Sequence, residues 1–165
     1  MPFNGGNIVK VNRRITADIK KELRQQGHYL TGALEQSIIE KETLTQSDII
    51  IEAFGFAYIQ DLEQGIPAEK IVINVNSLSE MTKYVELRMG YKGRNAAKVA
   101  LRILQKQKIE GNPTEASKRF SKDGERLHAV AKTFERNEAK YFEMIDAEVM
   151  LVIDNALSKF TSETI

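Results

Sequence analysis

An α+β fold is the class this chain predicts: a small antiparallel sheet over residues 37–75, packed by an N-terminal helix and by a C-terminal helical half over 77–160 that includes one long terminal helix. Three observations lead there. Residues 37–45 alternate between two faces ahead of a more apolar run over 48–56, and Ile71, Ile73 and Val75 alternate again, the pattern of strands. Ile15, Ile19 and Leu23 recur every four residues ahead of Gly27, one narrow apolar stripe on a helix. From Lys122 to Phe160, Gly124 is the sole Gly or Pro in a run that keeps a helical period.

Taken in order, a helix is predicted over 12–26 with Gly27 as its left-handed cap, then a short helical turn over 31–36. A strand over 37–45 sets Ile39, Lys41 and Thr43 on one face and Ile38, Glu40, Glu42 and Leu44 on the other. Gln46-Ser47 turns the chain into a second, more buried strand over 48–56, in which Gly55 marks a bulge or a close backbone approach. Tyr58 is expected at the seam between sheet and short helix, and Phe54 and Phe56 read as a packed face rather than a base-stacking platform. Residues 71–75 add a third strand. Ser77 and Glu80 then read as a capping box, opening a helix that ends at Gly90. A helix over 95–109 follows, stopped by Gly111-Asn112-Pro113, since proline cannot donate to the helical ladder. The last helix, continuous from 122 to 160, would be about 58 Å long at ~1.5 Å per residue, so part of it overhangs the domain or packs on a neighbour. A break near Arg136-Asn137-Glu138 is the alternative.

The 165 residues suffice for one domain, 1–165, that buries roughly 70% of its unfolded surface. No cysteine is present, which excludes disulfides and thiolate metal sites and fits assembly in a reducing cytoplasm. His28 and His128 lack companion ligands, so neither a metal nor a cofactor is expected. No run nears the ~20 apolar residues of a membrane span, and MPFNGGNIVKVNRR has no apolar core for a signal peptide, so a soluble, unprocessed chain without a membrane partner is expected. The net charge of +1 conceals segregation: +4 over 1–34, −7 over 35–82, +7 over 83–126 and −3 over 127–165. A protomer so divided suits head-to-tail contact between copies, although each block read alone is a solvated face.

Within Leu30 to Gly65, Thr31, Gly32, Leu34, Ser37 and Ile38 precede the hairpin, and Ala57, Tyr58, Leu62, Glu63 and Gly65 follow it. This series resembles the tail-completion or neck proteins of tailed bacteriophages, where Thr-Gly-x-Leu-x-x-Ser-Ile precedes strands and Ala-Tyr-x-x-x-Leu-Glu-x-Gly comes after. The resemblance implies a structural virion protein, a ring-forming homo-oligomer that joins portal or adaptor to tail proteins as a head-to-tail connector and leaves a lumen for DNA. It would be assembled in the host cytoplasm and reside in the neck or tail of the virion. After Gly65 the family continues with Thr and a basic, Pro-rich run. Here Ile66-Pro67-Ala68-Glu69-Lys70 leads into IVINVN, consistent with an extra strand or an enlarged helical half.

No catalytic constellation appears: Ser37 has no histidine at a recognisable spacing, and there is no nucleophile elbow and no phosphate-binding glycine loop after a strand. An enzyme is not expected. The alternative function rests on Gly90-Tyr91-Lys92-Gly93, a G-x-x-G quartet between helices like the KH loop that clamps a nucleic-acid backbone. Lys92, Arg94, Lys98 and Arg102 are accordingly the candidate contacts, to docking partners on the first reading and to phosphate on the second.

Overall fold

A computed structural model of the chain describes residues 6–28, 31–44, 49–55 and 57–162. Six α-helices carry most of them: α1 Gly6–Gln25, α2 Ala33–Ser37, α3 Ile59–Gln64, α4 Val75–Met89, α5 Gly93–Glu110 and α6 Ala129–Ser162, with 3-10 turns at Ala68–Lys70 and Glu115–Phe120. Two six-residue strands, β1 Ile39–Leu44 and β2 Ile49–Phe54, pair antiparallel with Ile39 opposite Phe54 and Leu44 opposite Ile49. The turn assigned to Gln46-Ser47, and Phe56, lie outside the described residues.

The α+β expectation is therefore wrong. The described residues are mostly helical, and their strands form one two-stranded hairpin against α1, not the larger antiparallel sheet expected over 37–75. The third strand is absent because Asn74 starts a helix where alternation had predicted extended chain. Its Oδ1 accepts from Ser77 N at 2.8 Å, and Ser77 Oγ accepts from Asn74 N at 2.9 Å. That reciprocal box begins α4 at Val75, one turn ahead of the Ser77–Glu80 box expected. Only Ile71 of the alternating run is buried, while Val72, Ile73 and Val75 face solvent. Without a third strand, Ile39 and Ile50 of the hairpin are exposed too. The alternation of β1 itself holds at its start, with Ile38 buried and Ile39 outside.

Two apolar clusters organise the helices. The first gathers Ile19, Leu23, Leu34, Ile38 and Ala129, with Ile15, Ile59, Leu62 and Val130 against them, so it joins α1, α2, α3 and the start of α6. The second is the α4–α5 hairpin, where Val85, Ala96 and Ala100 are fully buried under Leu78, Met81, Tyr84, Val99 and Ile103. Alanines on α5 let the two helices approach closely. Between the clusters the chain crosses at one antiparallel bridge: Ile66 N donates to Asn112 O at 2.7 Å and Asn112 N to Ile66 O at 2.8 Å.

The last helix begins at Ala129, seven residues later than the sequence suggested, after His128 with φ 59°. The segment before it is held irregular by α1, with Lys122 N donating to Gln25 O at 3.0 Å and Gln26 Nε2 to Leu127 O at 3.0 Å. From there α6 runs unbroken for 34 residues, about 51 Å, past Arg136-Asn137-Glu138, and lies antiparallel to α1, which is about 30 Å long. Their seam is polar as well as apolar. Asn12, Thr16, Glu22 and Gln26 of α1 and Thr133 and Glu148 of α6 are buried beside Val11 and Tyr141. Arg136 donates to Glu22 Oε2 at 2.7 Å, and Tyr141 Oη donates to Asp18 Oδ2 at 3.1 Å.

Candidate functional site

The residues of the Thr31–Gly65 series meet around the start of α6, and each has a structural task. Thr31 Oγ1 accepts from Ala33 N, Gly32 takes φ 79°, Leu34 and Ile38 enter the first core, and Ser37 Oγ donates to Leu34 O at 2.7 Å. Glu63 caps α6: its carboxylate accepts from Val130 N and Ala131 N, both at 3.0 Å, and its carbonyl from His128 N at 3.3 Å. Gly65 takes φ 76°, and a Cβ there would sit 3.0 Å from Asn112 O. Tyr58 departs from expectation. It is 42% exposed and rims a small cavity of about 130 Å³ with Thr31, Gly32 and His28 instead of filling a seam.

Arg94, Lys98 and Arg102 are exposed, and spacing of four puts them along one face of α5, spanning about 12 Å with the exposed Leu101 among them. Lys92 stands apart at the N-cap position, where its side chain makes no cap. Among the described residues none of these four forms an ion pair, and no ion pair joins the acidic stretch 35–82 to the basic stretch 83–126. The Gly90–Gly93 loop does turn α4 into α5, but residues 71–73 form no strand ahead of α4, so the element that a KH arrangement requires there is missing.

A second site has little local signature in the chain. A cleft of about 290 Å³ opens between the α4–α5 hairpin and residues 112–126, walled by Met81, Tyr84, Met89, Ile103 and Phe120 with Arg119 and Arg126 in its lining. Arg88 and Arg119 lie over the Phe120 ring, 5.6 and 4.9 Å from its centre. Arg126 donates to Ser117 O at 3.3 Å and to His28 Nδ1 at 3.3 Å, while its buried Nε has no partner among the described residues. Burial, then the Arg126 charge, lowers the His28 pKa to about 4, so the ring is neutral at pH 7. Its Nε2 carries the proton and donates to Arg126 O at 3.1 Å, which leaves Nδ1 as the acceptor. His28 and Arg126 are 98 residues apart, so no local pattern could have joined them. The Arg119-Phe120 dipeptide was the only local trace.

No helix among the described residues is long and apolar enough to cross a membrane, and among the same residues no three His, Asp or Glu side chains converge as metal ligands. No family model, no curated protein and no solved structure matches the chain.

Proposed function

We propose that this protein is a ring-forming structural component of a tailed-phage neck, a head-to-tail connector or tail-completion protein that docks on portal or adaptor and tail proteins in the virion. The observation that carries the reading is the distal half of α6. Phe142, Val149, Met150, Ile153 and Leu157 are exposed and fall on one side of the helix, at spacings of seven, one, three and four residues. Alignment of α1 with α6 by Glu22–Arg136 and Asp18–Tyr141 brings the start of α1 opposite the region near residue 153, so the last turns of α6 extend past it. An apolar stripe along the outer side of a long helix, continued by Leu157 into the turns that reach past α1, fits burial against a second copy.

Charge supports the same reading. The unpaired basic face of α5 and the acidic stretch 35–82 can neutralise each other between protomers, which gives a heterologous contact of the kind a ring uses. The resemblance of Thr31–Gly65 to neck proteins supplies the biological setting. Contact with DNA in the lumen would then be to phosphate and indifferent to sequence.

Native mass spectrometry and sedimentation of the purified protein, alone and with portal, test the proposal. A closed oligomer is expected, weakened by salt and by Met150→Asp with Leu157→Asp. A monomer at high concentration that also ignores portal and tail components would overturn it.

A further inference from the structure

The cleft between the α4–α5 hairpin and residues 112–126 has no place in a purely mechanical role. Two of its lining residues are arginines, and a third, Arg88, shares the Phe120 ring with one of them. No carboxylate lines it. The acids nearest in sequence are engaged elsewhere: Glu115 with Lys118, Glu125 with Lys132, and Asp123 with Arg136. Among the described residues, neither Arg119 nor Arg126 has an ionic partner. Guanidinium groups brought together beside apolar walls repel one another in a medium that screens poorly, so an anion gains from all of them at once.

We infer that this cleft is a binding site for a small organic carboxylate with an aromatic or branched apolar body. The carboxylate would sit between Arg119 and Arg126, and the body would lie among Met81, Met89, Ile103 and the face of Tyr84. A dry cavity of about 150 Å³ takes one benzene ring, so a cleft of about 290 Å³ accommodates a body of about twelve heavy atoms. The mix of predominantly apolar wall and a few converging donors is that of small-ligand sites. An anion without such a body would leave the apolar walls wet, which argues for an organic carboxylate over inorganic phosphate. This inference does not depend on the neck reading.

Titration of the full chain with 2-naphthoate, followed by calorimetry and amide chemical shifts, tests it. Saturable binding is expected, with shifts centred on Tyr84, Ile103 and residues 116–126. The neutral 2-naphthamide should bind at least about tenfold more weakly, and Arg119→Gln should cost a similar factor. Arg119 is exposed and its contact is with the face of Phe120, so that variant should shift the melting temperature little; Ala116→Trp, also at the rim, should block the cleft. Equal binding of acid and amide, full competition by inorganic phosphate, shifts confined to α6, or binding by an acidic peptide with none by naphthoate would each overturn the inference.

Discussion

Glu63 receives the backbone N–H of Val130 across 67 positions of sequence, at 3.0 Å. The same carboxylate takes Ala131 N, so a residue of the short α3 satisfies two of the four N–H groups that the start of α6 would otherwise leave unpaired, and it sets a negative charge at the positive end of the helix. Glu63→Ala should cost about 2 kcal/mol, lowering the melting temperature by about 4–8 °C for a chain of this size. Glu63→Gln, which keeps one acceptor, should lose about half of that. Thermal unfolding followed by circular dichroism decides, and an unchanged melting point for Glu63→Ala would remove Glu63 from the set of residues that position α6.

Acid should loosen the junction between α1 and residues 120–127. His28 is held to about pKa 4 in the fold, below its ordinary 6.5, so the unfolded chain binds the proton first as pH falls. The contribution of His28 is complete above pH 6.5 and is lost progressively between 6.5 and 4, by about 3 kcal/mol in all. Urea unfolding at pH 7.5 and 4.5 measures the loss, and His28→Asn should flatten this part of the pH dependence. An equal slope in the variant would assign the acid sensitivity to other groups.

Two glycines with nearly the same dihedral angle should respond very differently to alanine. Gly27 and Gly90 have φ of 73° and 75°, but a Cβ on Gly27 would stand 2.3 Å from Phe120 O, whereas one on Gly90 meets nothing within 4 Å. Gly90→Ala should cost about 1 kcal/mol, the strain of a left-handed residue. Gly27→Ala should add a backbone collision and exceed about 3 kcal/mol. Equal costs by chemical denaturation would mean that residues 120–127 withdraw freely from α1.

Reversal of Arg94, Lys98 and Arg102 together should impair assembly while leaving stability within about 1 kcal/mol, because all three are exposed and make no ion pair among the described residues. Binding of short single-stranded RNA or DNA is expected to be weak, indifferent to sequence and steeply reduced by salt. Nanomolar, sequence-selective binding lost with Lys92→Asp and Lys98→Asp would promote the nucleic-acid reading over the neck.

Local signals in the chain announced where helices end better than where they start, since α1 begins at Gly6, six residues before the stretch predicted, and α6 seven residues after. Gly27, Gly90 and Gly111 end α1, α4 and α5 where the sequence placed their ends, because a left-handed or otherwise glycine-specific conformation is a single-residue property. Alternation at 38–44 announced β1 for the same reason. What was not legible depended on distant partners. Ile71 to Val75 alternates like a strand, but a strand needs a neighbour to pair with, and the Asn74–Ser77 box turned the backbone first. Tyr58 carries an aromatic ring at a position that turns outward, so Tyr58→Ala should cost well under the 3–5 kcal/mol expected for a buried ring. On α1, the stripe Ile15, Ile19, Leu23 was visible, whereas the polar row Asn12, Thr16, Glu22, with Gln26 just beyond the helix, was not recognisable as buried until α6 supplied Arg136 and the segment before it Leu127 O. Exposure of Arg94, Lys98 and Arg102 was legible; the gathering of Arg88, Arg119 and Arg126 about Phe120 was not, since it needs α4 and the 112–126 segment side by side.

The bridge between Ile66 and Asn112 makes everything from Pro67 to Gly111 an excursion that leaves and rejoins the chain at one point. Residues facing each other across such a bridge stand about 5 Å apart. A turn of two or three residues could close that gap, and the first core, built from α1, α2, α3 and α6, contains no side chain from the excursion. The α4–α5 hairpin is thus a cassette in the threading of the chain: it can be shortened, extended or exchanged for another insert without re-threading the rest, at the cost of its contacts with Phe120 and the 112–126 segment.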